Sequence, residues 1–476
     1  MPRSLTSFHR PVATGGLDRP GCERQTLKFP GSDGGILKRL IALLLVLSAA
    51  SALAQVGERP GPTILSRGLG AFIQGGGELL RVRPFFTATG VYDSGLTPFS
   101  LDSQGNIPVT NGYGVSLGFG VSGYHRWRRT LLGIDYRGDV RHYDQENYYD
   151  GSNHTLALTL THQPRRWLTF SLAEAASTYS RSPGLLAGYQ VLDPAAMGAP
   201  LNEIFNGRTN FSNTMASVTL SPSRRLSFGA GGSGTIVRRR GGDGLAGLNG
   251  WSGHGDVQYT LGRSFSIGSA YSFTHYQFTN QSGVSDIHSV SLNLAFRLGR
   301  AWDLGLAGGV SRVESSTQYS FLLDPVLAAF LGRRSVILSA HNLNYIASGD
   351  ARLGWVGRRS RLTFAYNTGA APGNGIYLTS KSQSGSVDWG VTAGRRWNFG
   401  SSVRYTSYSP LIQRLGGYTY ISAGGGFVFQ VKSWLHLSGD YSARRYRLGE
   451  TMPQRIYHAA SLGVAFSPGE VPLSLW

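Results

Sequence analysis

The sequence predicts an all-β chain folded as a transmembrane antiparallel up-and-down β-barrel of about 18 strands, with 16–20 compatible with the spacing. Three observations carry this. Segment after segment alternates apolar and polar residues with the period of two that a strand imposes. Short basic turns alternate with long, variable connections, so the internal repeat is a hairpin. The composition is rich in glycine (66 of 476) and aromatics (11 %) but holds only 15 % charged residues, too few for the surface of an ordinary soluble domain.

The elements follow in chain order. Residues 1–35 show no regular pattern. Residues 38–54, KRLIALLLVLSAASALA, read as a secretory signal peptide: Lys38 and Arg39 lead an apolar run, and Ala52-Leu53-Ala54 forms a small-x-small cleavage site before Gln55. The apolar run is shorter than the ~20 residues of a spanning helix. The expected division is therefore 1–54 leader and signal, 55–79 an N-terminal periplasmic segment, and 80–476 the barrel. The single cysteine, Cys22, falls in the leader, so the exported chain is expected to hold no disulfide. Residues 1–54 contain seven Lys/Arg and three Asp/Glu, which leaves about +15 of the total +19 on the rest, almost all of it arginine.

From residue 80 onward the hairpin repeat takes over. The short turns read HRWRRTLL (125–132), QPRRWLTF (163–170), SPSRRLSF (221–228), LGRSFSI (261–267), LGRAWDL (298–304), VGRRSRLTF (356–364), AGRRWNF (393–399) and VKSWLHL (431–437). Between them the alternation is explicit. In 113–124, Tyr113, Val115, Leu117, Phe119 and Val121 share one face and Gly114, Ser116, Gly118, Gly120 and Ser122 the other. In RRWNFGSSVRYTSY (395–408), Trp397, Phe399, Val403 and Tyr405 oppose Asn398, Gly400, Ser402 and Arg404. Segment 166–180 breaks the pattern, because Glu174 shares a side with Leu168, Phe170 and Leu172; a bulge or a rim position is expected there. Eight hairpins, one strand before them (81–93) and one after (455–467) give the strand count.

Lipid offers the backbone no hydrogen bonds, so a spanning sheet must close on itself, turn its apolar face outward and line its lumen with the polar face. Aromatics at both ends of the apolar face then mark the two interfaces. A soluble propeller would repeat every four strands rather than every two. These residues resemble Gram-negative outer-membrane β-barrels of the porin-like class: the signal, the short-turn and long-loop alternation, the girdles, and the last strand HAASLGVAF (458–466) with a terminal aromatic, Trp476. The resemblance implies outer-membrane residence, short periplasmic turns, long extracellular loops, and the barrel-insertion machinery and outer-membrane lipids as partners. The tail SPGEVPLSLW departs from it, since Pro468 and Pro472 interrupt an ordinary last strand. The strand count and arginine bias also resemble barrels that pass anionic exopolysaccharide.

The inferred lumen face carries Arg81, Arg83, Arg137, Arg141, Arg297, Arg352, Arg361, Arg404 and Arg444 against Asp135, Asp139, Asp256, Asp303, Asp350, Asp388 and Asp440. Such a ladder can stiffen the wall, or it can form a wet charged pathway with mild anion preference. Much of the remaining charge lies in the short turns (for example Arg128, Arg129, Arg165, Arg166, Arg224 and Arg225), where arginines can snorkel to lipid phosphates or meet an acidic partner. Two long connections contain Asp-Pro helix starts, LDPAAMG (192–198) and LDPVLAAFLG (323–332). The second is apolar, and Asp324, Pro325, Leu327 and Phe330 are expected to form a constriction loop that folds inward.

Other motifs carry little. GFGVSG (118–123) fits a nucleotide-binding glycine pattern but lies inside a strand with no helix after it. His254, His436 and His458 have no metal-ligand spacing, and no cofactor is expected. The basic turns lack the interleaved aromatics of a nucleic-acid surface, so no nucleic-acid partner is expected. The expectation is a non-enzymatic channel for small or anionic solutes. A conduit for acidic exopolysaccharide and a barrel enzyme (lipase or protease) are the alternatives.

Overall fold

A computed structural model describes residues 80–94, 111–144, 150–179, 208–240, 246–279, 283–322, 335–372, 378–394, 396–411, 416–449, 455–467 and 471–473. The expected signal peptide, the N-terminal segment, both Asp-Pro loops and Trp476 lie outside them. The strands are β1 (Leu80–Asp93), β2 (Gly112–Arg126), β3 (Thr130–Tyr143), β4 (Gly151–Arg165), β5 (Leu168–Tyr179), β6 (Arg208–Leu220), β7 (Leu226–Arg240), β8 (Gly247–Thr260) and β9 (Phe265–Thr279). They continue as β10 (Gly283–Leu298), β11 (Trp302–Leu322), β12 (Ser335–Val356), β13 (Ser360–Pro372), β14 (Thr379–Ala393), β15 (Trp397–Pro410), β16 (Tyr418–Lys432), β17 (Leu435–Leu448), β18 (Arg455–Phe466) and the short β19 (Val471–Leu473).

Each strand pairs antiparallel with the next in sequence, and β18 returns to β1 from Phe86↔Phe466 to Asp93↔Ala459. The sheet is a closed barrel of eighteen long strands, the first and last paired with each other. β19 extends the closure: Val471, Pro472 and Leu473 face Val82, Arg81 and Leu80. Pro472 is tolerated because β19 is an edge, bonded to β1 alone among the described residues.

The registers assign the faces. Phe86, Leu117, Val290 and Leu462 are 56–59 % exposed, and all stand on the outer face. Buried polar side chains such as Ser122, Asp135, Asn153, Asn213 and Ser438 stand on the inner one. In water this would be an inverted protein; in a bilayer it is the required arrangement. At the short-turn end the outer face carries a tryptophan girdle. Trp302 meets Trp355 at 6.2 Å, Trp397 meets Phe429 at 4.5 Å, and Trp434 meets Phe466 at 5.5 Å. Farther up the outer face, Tyr136, Tyr271, Tyr366 and Tyr441 are each the seventh residue of their strand, about 15 Å of membrane depth above the turns at the usual rise and tilt. The chain is thus a bacterial outer-membrane barrel.

Glu174 is also a seventh residue, and it faces outward. The expected bulge is elsewhere: the β4–β5 register shifts between His162 and Arg165, and Glu174 lies in regular ladder opposite Leu158 and Thr214. Its carboxylate is kept by neighbours on β6 instead. The Ser212 hydroxyl donates to Oε1 at 2.8 Å and the Thr214 hydroxyl donates to Oε2.

Candidate functional site

The lumen is the site, and its wall at membrane depth is built from cross-strand complementarity. On β2 the inward positions Gly118 and Gly120 face Asp139 and Arg137 of β3. A Cβ at Gly120 would overlap the Phe85 ring and the Tyr136 carbonyl, so glycine there makes room for the inward Phe85 side chain. The same device recurs where Gly229 faces Asp256, Gly354 faces Asp303 and Gly426 faces Asp440.

The inward registers hold every lumen residue named from the sequence, the side chain of Arg81 lying outside the description. Several are neutralised within the wall. Arg137 Nε lies 2.9 Å from Asp135, and Arg141 Nε lies 2.6 Å from Asp139. Asn153 donates to Asp139 at 3.1 Å, Asn367 to Asp350 at 3.3 Å, and Ser386 to Asp388 at 3.2 Å. Arg297 faces Asp303 directly across β10–β11. Arg352 and Arg404 stand at mid-depth on β12 and β15, opposite Gly305 and Ser386. Arg444 differs from the rest: it is 2 % exposed and forms an ion pair with Asp93, joining β17 to β1 over the intervening β18. Asp93, the last residue of the strand expected over 81–93, was not among the lumen residues named from the sequence, because only the fold sets it beside Arg444.

Toward the long-loop end the inner face changes character. Tyr179, Phe211, Val237, Leu248 and Phe278, from five consecutive strands, form a buried apolar cluster with Tyr276 packed on it. Leu378, just before β14, completes the cluster, although β14 lies far round the barrel from β5–β9. A second cluster joins Ile287, Val313 and Ile346 to Ala370 and Leu411. The β12–β13 ladder stops at Gly349–Thr368 among the described residues, and higher on β12 the Asn342 amide donates to the Leu411 carbonyl at 3.4 Å. Arg239 on β7 lies near both Tyr179 and Tyr408, the latter on β15. These contacts connect strands that are not neighbours, so the extracellular mouth is narrowed by its own wall. The expected constriction residues Asp324, Pro325, Leu327 and Phe330 fall outside the described residues. The signal for the wall-borne cluster was present in the sequence: Phe211, Val237, Leu248 and Phe278 are large apolar residues on the parity that elsewhere is polar.

Among the described residues no three His, Cys, Asp or Glu side chains are grouped to hold a metal. His254 and His436 face the lumen, and His458 faces outward beside the Tyr441 hydroxyl at 2.7 Å.

No family model matches the chain, and no curated protein is similar to it. Solved structures that it resembles include OpdQ of Pseudomonas aeruginosa, at 10 % identity and a TM-score of 0.37, covering 83 % of this chain and 98 % of that one. OccK5 (OpdH) of the same organism is 13 % identical with a TM-score of 0.40 and the same coverage. The siderophore receptor PiuA of Acinetobacter baumannii is 9 % identical with a TM-score of 0.38, covering 81 % of each chain.

Proposed function

We propose that the chain is an outer-membrane channel for small solutes, with a charged pathway at membrane depth, mild anion preference and a narrowed extracellular mouth. The observation that carries this is the closed eighteen-strand wall with a polar, charge-laddered inner face. Barrels of 16–18 strands enclose an aqueous lumen rather than a side-chain-filled core, and rings of fixed charge on such a wall bias the sign of the ions that pass. Each arginine replaced by a neutral side chain moves the local charge one unit negative. Where the arginine is paired, as Arg137 and Arg141 are, an uncompensated aspartate remains. The triple variant Arg137→Gln, Arg141→Gln, Arg404→Gln therefore shifts the reversal potential under a salt gradient toward cation selectivity. Planar-bilayer recordings measure this directly, and an unshifted reversal potential would remove these residues from the pathway.

A conduit for acidic exopolysaccharide is the second reading. It is favoured by the mouth, where Arg239 sits among aromatic side chains, a pairing suited to sugar faces and carboxylates. The two readings separate on conductance: a solute channel gives large ohmic steps as isolated, whereas a conduit conducts little until the mouth is opened. A barrel enzyme gains no support from the described residues.

A further inference from the structure

Most of the outer wall is bulky, but over β4–β7 it drops into a hollow. Leu160, Phe170 and Leu172 stand out from β4 and β5, while β6 and β7 present Ala216, Val218 and Ala230 beside them. The hollow has a volume of about 490 Å³, within the ~300–1,000 Å³ range of ordinary ligand pockets. Its lining side chains are apolar except at its lower end, where His162 Nδ1 lies 2.8 Å from the Thr130 hydroxyl. It therefore sits in the half of the apolar band nearest the short turns.

Directly below lie the turns of the same strands. Residues 163–167 (QPRRW) and 221–225 (SPSRR) hold Arg165, Arg166, Arg224 and Arg225 and no carboxylate. The two turns are bonded side by side, the Ser221 amide donating to the Trp167 carbonyl at 2.7 Å. Arg165 stacks over the Trp167 ring at 5.6 Å. The second turn is held rigid by Ser223, whose hydroxyl accepts from the Leu226 amide at 3.0 Å.

We propose that this face binds an anionic glycerophospholipid of the periplasmic leaflet, one acyl chain in the hollow and the phosphate on the arginine turns beneath it. The chemistry requires both halves at once. An apolar hollow in the hydrocarbon zone accepts an acyl chain but not a free anion, and a carboxylate-free arginine cluster at the interface recognises a phosphate. The hollow and the cluster lie on the same strands, one above the other, as the tail and head of one lipid do.

The test uses the full barrel purified in detergent, with native mass spectrometry after titration with defined lipids. The expected result is about one phosphatidylglycerol retained per barrel, with phosphatidylcholine retained far less. Ala230→Phe fills the hollow from an exposed position, and Arg166→Gln with Arg224→Gln and Arg225→Gln removes the anion site. The triple variant should weaken retention on the order of 100-fold, and Ala230→Phe should abolish retention while heat-modifiable gel mobility reports a folded barrel. Equal retention of phosphatidylcholine, or undiminished retention by either variant, overturns the proposal. Binding of inorganic phosphate that matches the lipid would also overturn it, because the hollow would then contribute nothing. None of these outcomes depends on channel conductance.

Discussion

Two side chains show how differently a charge is treated inside and outside this barrel. Arg444 is buried and paired with Asp93, and the pair ties β17 to β1 across the closing strand. Breaking a buried pair strands a charge, at a cost of about 3–5 kcal/mol. Asp93→Asn should therefore lower the temperature at which the barrel loses its compact band on unheated gels. Adding Arg444→Met to it should restore most of the loss, because both halves of the pair are then gone. Glu174 is the opposite case, a carboxylate on the lipid-facing side at the depth of the tyrosine ring. Its hydroxyl donors on β6 offset part of the cost of a lipid-facing carboxylate, which is below the ~2–4 kcal/mol of an arginine or lysine at the membrane midplane. Glu174→Leu is thus expected to leave urea-unfolding midpoints unchanged or slightly raised; a large drop would mean that the Ser212 and Thr214 hydrogen bonds outweigh the cost of the carboxylate. The sequence marked Glu174 as irregular and offered a bulge or a rim position as the cause; the bulge lies elsewhere, between His162 and Arg165. Alternation alone reports parity, and only the neighbouring strand reveals Ser212 and Thr214.

The strands themselves were legible, since each hairpin carries its own evidence in alternation, turn arginines and end aromatics. Register was legible only in part. The glycines of β2 look like a bare polar face until β3 places Asp139 and Arg137 against them. Gly120→Leu should consequently destabilise the β1–β3 wall, by about 1–3 kcal/mol for an overpacked site, measurable as a lower folded fraction in detergent refolding. The last strand was ambiguous, because the tail with Pro468 and Pro472 departs from an ordinary last strand. In the fold Phe466 joins the tryptophan girdle beside Trp434 and faces Phe86 on β1, while β19 adds three pairs below it. Removing residues 468–476 should therefore leave a closed, folded barrel, whereas Phe466→Ala should reduce the amount assembled in the outer membrane. The reverse ranking in a pulse-chase assembly assay would make the tail the recognised element.

For the molecule as a whole, the proposed channel would be governed by the contrast between a polar tube and an apolar mouth. The tube was readable from parity; the mouth was signalled only by large apolar residues on the polar parity, and its closure was not readable, because it arises from side chains that meet only when distant strands face one another across the lumen. Leu378 packing among Tyr179, Phe211 and Phe278 has no local signature. If that cluster sets the narrowest section, Phe211→Ala with Leu378→Ala should raise unit conductance severalfold. Truncating buried groups of this size costs about 2–5 kcal/mol of packing, but the β-ladder that closes the wall from β1 to β18 is untouched, so the variant should still run as a folded barrel. Widening an apolar mouth above a charged tube should also sharpen selectivity, since the arginine and aspartate ladder then becomes the section that resists ion flow. Larger steps with a reversal potential further from zero are the joint expectation. Unchanged steps would place the narrowest section elsewhere, and larger steps with lost selectivity would mean the mouth, rather than the ladder, discriminates between ions.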